Sequence, residues 1–330
     1  MSELKTGRPV VSVIMPIYNR AGLVGQALDS LCAQSYKSFE VIIVDDGSTD
    51  GTRGVLKRYE DKLDLILKRA GHTGNIAAVR NIGLSVAKGE YVAILDSDDV
   101  CNKIRLERQV GYFEENPDVD ILASQVELFG EGDPEQASRL DWLYNKPIDV
   151  TEMIKRFMND GCCLCHSSVM AKRRALEILN GYNEDFFVCE DYYMWTDAIA
   201  KGMRIDIMPE KLVKRRLHKD SVTSEYEGRP EAIINVVRIK LTFLIPTARL
   251  HEKKIAVLGV NKRNELIAKC LTLYFSQMLT LDYFDIHKGI NPEALRKYEY
   301  FFVTTFSERQ RAFDLLNGLG KQIVRDYVYL

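Results

Sequence analysis

Three carboxylates stand within four residues at Asp96, Asp98 and Asp99, directly after the apolar residues 91–95. Carboxylates this close repel one another, and placing them at the end of a buried strand costs free energy unless a cation neutralises them. Oxygen ligands of this kind suit Mg²⁺ or Mn²⁺, which often keep substrate phosphates in their coordination shell. Taken alone, the run is compatible with a metal-dependent site and with a solvated acidic turn that caps the next helix.

A second acidic pair, Asp45 and Asp46, follows the apolar residues 39–44 in the same way. A carboxylate at such a strand end can accept a hydrogen bond from a nucleobase imide or a ribose hydroxyl, or it can simply close a turn. Tyr18 follows the first apolar run and could stack on a base or pack against its neighbours. Arg80 could pair with a phosphate, with a strand-end carboxylate, or with a surface partner.

The elements that must position these residues alternate between strands and helices along the first hundred residues. The hydrophobic periodicity predicts strands at residues 10–18, 39–44, 63–67 and 91–95, and helices at 21–35, 50–59 and 75–87. This alternation is typical of a doubly wound α/β sheet, whose ligands bind at the carboxyl ends of the strands. Further along, the pattern predicts helices at 104–116 and 192–201 and strands at 119–129 and 165–171.

The strand and helix pattern restarts near residue 253, where it predicts a small α/β module. The predicted elements of this module are strands at 254–260, 281–286 and 300–305 and helices at 265–278 and 308–316. We therefore expect a main domain over residues 1–228, a helical linker over 229–252 and the module over 253–330. Its role is not evident from the sequence, and a homodimer formed through it is one interpretation.

The composition excludes several classes of protein. The chain has 330 residues and a formal net charge of −2, whereas general nucleic-acid binders usually carry a basic excess. The first residues form no apolar signal region, and no apolar run approaches the roughly 18–20 residues of a membrane-spanning helix. We expect a cytoplasmic protein, with peripheral contact to the inner face of a membrane left open.

Several motifs in register resemble one known family. The order VSVIMPIYNR, VIIVDDGSTDGT and AAVRNIGLSVAKGEYVAILDSDD resembles the nucleotide-sugar half of family-two glycosyltransferases with the GT-A fold. Three later segments are similar to the acceptor-side region and the late His-containing segment of that family: residues 167–170, 190–195 and 216–223. The resemblance covers residues 9–225 and implies a Rossmann-like, doubly wound mixed sheet.

The resemblance implies a role for each motif residue at the donor end. Pro16, Tyr18 and Asp46 would line the base pocket, with Asp46 accepting the imide hydrogen of uracil and Arg80 bracing the region. Asp96, followed by Ser97, would reach the ribose. The metal that bridges the diphosphate would be held by Asp98 and His218, and a nitrogen ligand favours Mn²⁺ over Mg²⁺. As a residue on a basic turn, His218 could equally be a surface histidine.

The resemblance also implies the catalytic base, which would be Asp191. Sugar transfer with inversion needs one carboxylate to remove the proton of the acceptor hydroxyl as its oxygen attacks the anomeric carbon. The alternative is that Glu190 and Asp191 only begin a helix, where acidic residues are favoured. Trp195 could be a sugar platform or part of the core, and His166 could touch the acceptor. The secondary site candidates are Asp45, Asp99, Glu190, His166 and Trp195.

The predicted function is metal-dependent, inverting transfer of a single hexosyl or N-acetylhexosaminyl group from a UDP-sugar. The acceptor would be a glycan, a lipid-linked glycan or a protein, in bacterial cell-surface polysaccharide biosynthesis. Two departures from the family matter: the chain lacks the Gln-x-x-Arg-Trp-like motif of processive relatives, and His72-Thr73-Gly74 replaces the usual Asn-x-Gly loop. The alternatives are a sugar-nucleotide nucleotidyltransferase and a non-catalytic scaffold of a glycan-assembly complex.

Overall fold

The computed structural model describes residues 9–147, 152–219, 221, 229–244, 254–259, 281–303, 309–321 and 327–329. The chain divides into two compact units. The first unit comprises residues 1–150 and 162–225, and the second comprises residues 151–161 and 226–330. The domain boundaries expected at residues 228 and 252 stay a prediction.

A mixed sheet forms the centre of the first unit. Its strands, in chain order, are β1 (Val11–Ile17), β2 (Phe39–Asp45), β3 (Leu65–Arg69), β4 (Tyr91–Ile94), β5 (Val100–Cys101), β6 (Ile121–Gly130), β7 (Met170–Lys172) and β8 (Ile205–Leu217). In the described residues they lie in the order β3-β2-β1-β4-β7-β6-β8-β5. The strands β1 to β4 are parallel to their neighbours among themselves, and β7 runs antiparallel to both β4 and β6. The predicted α/β class with a mixed sheet is confirmed.

Strand β1 occupies the middle of the parallel part because its β-branched and apolar side chains can be buried on both faces. All seven of its residues are buried. Pro16 is tolerated there because the pairing with β4 ends at Ile14, so the missing N–H breaks no ladder bond on that side.

Seven helices of the first unit flank this sheet in the described residues. They are α1 (Val24–Cys32), α2 (Thr52–Leu56), α3 (Ile76–Val86), α4 (Arg105–Glu115), α5 (Pro134–Asn145), α7 (Arg173–Ile178) and α8 (Glu190–Ala200). Helix α3 begins where Asn75 accepts hydrogen bonds from the backbone N–H groups of Ala77 and Ala78, which orients the helix that carries Arg80.

The register of the parallel strands brings their carboxyl ends to one edge. Val11 pairs with Phe39 on one side and with Tyr91 on the other, so β1, β2 and β4 begin level; β1 and β2 also end level, whereas β4 ends opposite Ile14. The residues after Ile17, Asp45 and Ile94 therefore share this edge. The acidic residues 45–46 and 96–99 lie at this edge, whereas Glu190 and Asp191 lie at the start of α8.

Several features of the first unit differ from the predictions, among them helix α5, which was not predicted. Residues 165–171 were expected to form one strand, but a 3₁₀ turn occupies His166–Ser168 and only Met170–Lys172 is extended. The hydroxyl and the amide of Ser168 both donate to the carbonyl of Cys165, and these local bonds compete with the ladder. The 13-residue strand β8 was not predicted, because a proline and a run of basic residues mask its alternation.

The second unit contains a separate parallel sheet. Its described strands are β9 (Ile255–Gly259), β10 (Leu281–Asp285), β11 (Tyr300–Val303) and β12 (Tyr327–Tyr329), in the order β10-β9-β11-β12. Its described helices are α6 (Met153–Asn159), α9 (Pro230–Ile239), α10 (Pro292–Leu295) and α11 (Arg309–Gly318). The helix predicted at 265–278 lies outside the described residues. Within the described part of the chain, no helix is long and apolar enough to cross a membrane.

Candidate active site

One end of the site is an aromatic pair beside a carboxylate. The rings of Tyr18, just after β1, and His72 stack with centroids 4.4 Å apart and an interplanar angle of 21°. Nδ1 of His72 lies 3.0 Å from the main-chain oxygen of Asp46 and 3.6 Å from its Oδ2. The predicted base-pocket residues Tyr18 and Asp46 are thus brought together, with His72 as an additional member.

The carboxylate of Asp46 also orders the loop that carries His72. Its Oδ1 accepts hydrogen bonds from the amide and hydroxyl of Thr73, at 2.6 and 3.0 Å, and its Oδ2 accepts from the amide of Gly74 at 3.0 Å. A carboxylate has about four lone-pair directions, so some acceptor capacity is left for a ligand.

Asn19 joins the loops after β1 and β2, a role that sequence reasoning missed. Its side-chain oxygen accepts a hydrogen bond from the backbone N–H of Thr49 at 2.8 Å. Its backbone N–H donates to Ser48 Oγ at 2.9 Å. Its φ of 49° is one that asparagine tolerates better than most residues. Asp45 closes the same turn by accepting from the amide of Ser48 at 2.8 Å, so its contact is structural.

The centre of the site is built around Arg80, which is 2% exposed. Its guanidinium donates to Asp96 Oδ1 at 2.8 Å through Nη2 and to Glu190 Oε1 through Nη1. Burial alone would lower the pKa of Arg80, but the two carboxylates outweigh it and raise the pKa, so the charge is fixed. The motif at the end of β4 and the start of α8 are therefore joined by one buried cation.

Asp191 follows Glu190 in the first turn of α8, after Cys189 at a φ of 67°. Its Oδ1 accepts from the amide of Tyr192 at 2.7 Å. Burial raises the pKa of Asp191 above its usual value, and Arg80 opposes that rise. A carboxylate with a raised pKa is a stronger base than an exposed one, which is the property a proton acceptor needs.

His166 and Trp195 lie beneath this centre rather than in an open pocket. Nε2 of His166 is 2.9 Å from the hydroxyl of Tyr182, and its ring packs 5.5 Å from that of Trp195. Burial, then the charge of Arg80, lowers the pKa of His166 well below its usual value, so the ring is neutral. Trp195 is 0% exposed and presents no face for a sugar, which favours the core interpretation.

The third part of the site pairs Asp98 with His218, the residue after β8. Asp98 Oδ2 and His218 Nε2 lie 2.9 Å apart. Neighbouring ligands of one divalent ion have about this separation when their bonds to the ion are about 2.1 Å long. The carboxylate oxygen and imidazole nitrogen therefore fit a Mn²⁺-like ion. In the described residues, however, no three His, Cys, Asp or Glu side chains form a complete metal-binding group.

Arg216 is a second residue whose role the sequence did not reveal. It joins the acidic loop, residues 96–99 after β4, to strand β8. Its amide donates to Asp99 Oδ1 at 2.8 Å and its Nε to the carbonyl of Asp98 at 2.9 Å. Burial, then the charges of Asp98 and Asp96, raises the pKa of Asp99 to about 8. The contact of the Asp99 carboxyl group with Arg216 therefore holds the loop in place. Ser97 and Pro16 are also buried.

A family model decides between the alternatives. The model of glycosyl transferase family 2 matches residues 12–179, which contain the base-pocket residues, Arg80 and the whole acidic run after β4. The chain belongs to this family. It is a glycosyltransferase, and the nucleotidyltransferase and scaffold interpretations lose their support.

One curated relative and two solved structures illustrate this glycosyltransferase's similarities. It is 32% identical over 221 residues to a putative teichuronic acid biosynthesis glycosyltransferase, TuaG, of Bacillus subtilis, covering 66% of this chain and 82% of the relative. Staphylococcus aureus TarS (residues 1–349) in complex with UDP-GlcNAc superposes with a TM-score of 0.58 at 20% identity, over 94% of this chain and 80% of that one.

A mannosyltransferase from Pyrobaculum calidifontis, in complex with GDP-Man and Mn²⁺, gives a TM-score of 0.53 at 24% identity, over 72% of this chain and 64% of that one. At these identities the two structures establish the fold alone. The fold of the glycosyltransferase is GT-A, as predicted.

Glu190 makes the stability of this glycosyltransferase depend on pH. Burial raises the pKa of Glu190 from 4.5 to about 7, against the opposing charge of Arg80. Between these values the folded state binds more protons than the unfolded state, so this residue's contribution to stability falls as the pH rises. We expect the Tm of the wild type minus that of Glu190→Gln to fall between pH 4.5 and about 7 and then to level off. The measurement is thermal unfolding of both proteins across this pH range. A Tm difference that stays constant or increases with pH would contradict the raised pKa of Glu190.

Proposed function

We propose that the protein is a metal-dependent, inverting glycosyltransferase that moves one sugar from a UDP-sugar to an acceptor hydroxyl. The observation that carries the proposal is the buried Arg80, which bonds both Asp96 at the donor end and Glu190 beside Asp191. A single rigid connection between a nucleotide-binding motif and a candidate base is what a displacement reaction needs, since its rate depends strongly on the alignment of the reacting groups.

The donor nucleotide would bind along the carboxyl edge of β1, β2 and β4. Tyr18 is 39% exposed and offers a flat ring, and Asp46 lies beside it as an acceptor for the uracil imide. Asp96 is held ionised because Arg80 outweighs the effect of burial and lowers the pKa of its carboxyl group. An ionised carboxylate at this place suits hydrogen bonds from the ribose hydroxyls.

Asp98 and His218 would hold the divalent cation, Mn²⁺ in preference to Mg²⁺ because one ligand is a nitrogen. When bound, such an ion supplies positive charge for the diphosphate leaving group. The side chain of Arg20 reaches to 4.0 Å from Asp98 Oδ2, which adds a second cation on the same side. The bound cation and Arg20 would thus attract the negatively charged diphosphate of the donor to this part of the site.

Asp191 would act as the general base. The acceptor oxygen forms a bond to the anomeric carbon on the face opposite the diphosphate, the bond from that carbon to the diphosphate oxygen breaks, and UDP leaves with the electron pair. The hydroxyl proton passes to the Asp191 carboxylate. The raised pKa of Asp191 supports this role, and one displacement inverts the anomeric configuration.

The donor can be identified with a panel of nucleotide sugars in a thermal-shift assay, with and without Mn²⁺. A ligand at 100 times its Kd stabilises the folded protein by about 2.7 kcal/mol, which raises Tm by roughly 5–10 °C. We expect a UDP-sugar to give this rise only with Mn²⁺. A panel in which no nucleotide sugar raises Tm, with or without the metal, would contradict the proposal and revive the scaffold interpretation.

The biological setting is proposed from the relatives. Because the similar TuaG protein is named for teichuronic acid biosynthesis, we propose that the acceptor belongs to a bacterial surface polysaccharide. A hexosyl or N-acetylhexosaminyl donor, a lipid-linked or protein acceptor, the cytoplasmic location and a homodimer through the second unit stay predictions.

A further inference from the structure

His72 makes, within the protein, the contacts that the donor's base is proposed to make. The first is stacking: its imidazole lies on the ring of Tyr18 at 4.4 Å and 21°, the geometry of an offset aromatic pair. Tyr18 is the residue on which the uracil of the donor is proposed to stack. One face of the proposed platform is therefore covered by a side chain of the protein itself.

The second contact is a hydrogen bond to Asp46. Since the main-chain oxygen of Asp46 can only accept, Nδ1 of His72 carries the hydrogen and donates to it at 3.0 Å. The same nitrogen lies 3.6 Å from Oδ2, the carboxylate oxygen nearest to the imidazole. A ring N–H pointing at Asp46 from above Tyr18 is also the arrangement required of the uracil imide.

The loop is held in place by bonds that do not involve the His72 side chain. Thr73 and Gly74 hold the loop through their bonds to Asp46, whereas the His72 side chain is 55% exposed. Its φ of 51° directs the side chain towards Gly47, where an added Cβ would lie 3.0 Å from that of His72. Glycine at position 47 thus makes room for the backbone of the loop at His72, whichever conformation the imidazole adopts.

We propose that His72 occupies the place of the donor's base in the ligand-free enzyme and is displaced by it on binding. This inference rests on the proposed function, because it takes Tyr18 and Asp46 as the base pocket. The base then competes with an intramolecular occupant, and the apparent affinity is reduced by the fraction of molecules in which Tyr18 is uncovered. Removing the imidazole removes that competition.

Two variants test this by calorimetric titration of UDP in the presence of Mn²⁺. His72→Asn and His72→Gly both remove the imidazole and keep a residue that accepts a positive φ. We expect each to bind UDP about two- to tenfold more tightly than the wild type, the range that one aromatic contact is worth. The control, Asp61→Asn at an exposed position of the first unit, should leave the affinity unchanged. Equal or weaker binding by both variants would overturn the inference and make His72 an ordinary wall of the pocket.

A second measurement observes the His72 ring directly in the wild type. The chain has five histidines, so their ring protons are resolvable by NMR, and His72→Asn assigns the signal of His72. We expect the ring-current shift that Tyr18 imposes on His72 to disappear as UDP is added in the presence of Mg²⁺, a diamagnetic ion that leaves the signals sharp. If UDP binds and the shift persists, the displacement is wrong while the proposed function stands. If the wild type binds no UDP, it is the proposed function that fails.

Discussion

Replacing Asp191 with asparagine is expected to lower the rate of UDP release from the donor by about a thousandfold, within the range that a general base contributes. Asparagine keeps the size of the side chain but cannot take up the proton of the acceptor hydroxyl. The affinity for UDP should be unchanged, because this side chain accepts a hydrogen bond from the amide of Tyr192 and is not among the residues proposed to hold the nucleotide. The measurement is steady-state release of UDP from the nucleotide sugar that stabilises the protein.

The matched control is Asp61→Asn, the same exchange at an exposed position of the first unit. It should keep the wild-type rate. A rate for Asp191→Asn within about threefold of the wild type, far below the usual contribution of a base, would remove the base assignment.

Replacing Arg80 with methionine is expected to lower the free energy of unfolding by about 3–5 kcal/mol, the usual cost of removing one partner of a buried ion pair. Methionine fills a similar volume but leaves Asp96 and Glu190 without the cation that now lies between them. Activity should be lost as well, since the motif after β4 would no longer be fixed to α8. Urea denaturation monitored by circular dichroism gives the free energy.

A double variant separates the charge effect from a packing defect. Adding Glu190→Gln to Arg80→Met removes one of the two uncompensated carboxylates, so it should restore part of the lost stability. The exposed Arg53→Met change in α2 should cost less than about 0.5 kcal/mol. Additive losses in the double variant would mean that the Arg80–Glu190 contact carries no coupling energy.

The parallel part of the fold could be predicted because its signals are local. Strands such as β1 are buried on both faces and therefore appear as continuous apolar runs, and the acidic residues after β4 mark the point where that apolar run ends. The parallel order of those strands then brings Tyr18, Asp46 and Asp96 to one edge. The structure brings these residues together with Arg80, although their roles stay predictions.

The parts that could not be predicted depend on contacts distant in sequence. Strand β8 has a proline, a bulge and alternating basic residues, and it is recognisable only from its pairing with β6. The bonds of Arg216 to the acidic loop span more than a hundred residues, so no spacing rule could reveal them. His72 has no local signal beyond replacing the usual asparagine, and its stacking on Tyr18 appears only in three dimensions.

The pairing of Glu190 with Arg80 also had no sequence signal. Both Glu190 and Asp191 begin α8, where acidic residues are favoured on electrostatic grounds alone. Only the position of α3 opposite α8 distinguishes the two: Glu190 bonds to Arg80, whereas Asp191 accepts a hydrogen bond from the backbone amide of Tyr192. The neighbouring carboxylates therefore make different contacts, which their identity and spacing do not reveal.

The most direct test of metal-dependent donor binding is calorimetric titration of UDP into the wild type, Asp98→Ala and His218→Ala, each with Mn²⁺ and with EDTA. The wild type should bind UDP roughly tenfold or more tightly with Mn²⁺, a difference of about 1.4 kcal/mol or more. Both variants should lose that difference, because each removes one of the two groups that lie 2.9 Å apart beside the acidic loop. Equal affinity of the wild type with Mn²⁺ and with EDTA, or no binding of UDP in either, would contradict the claim.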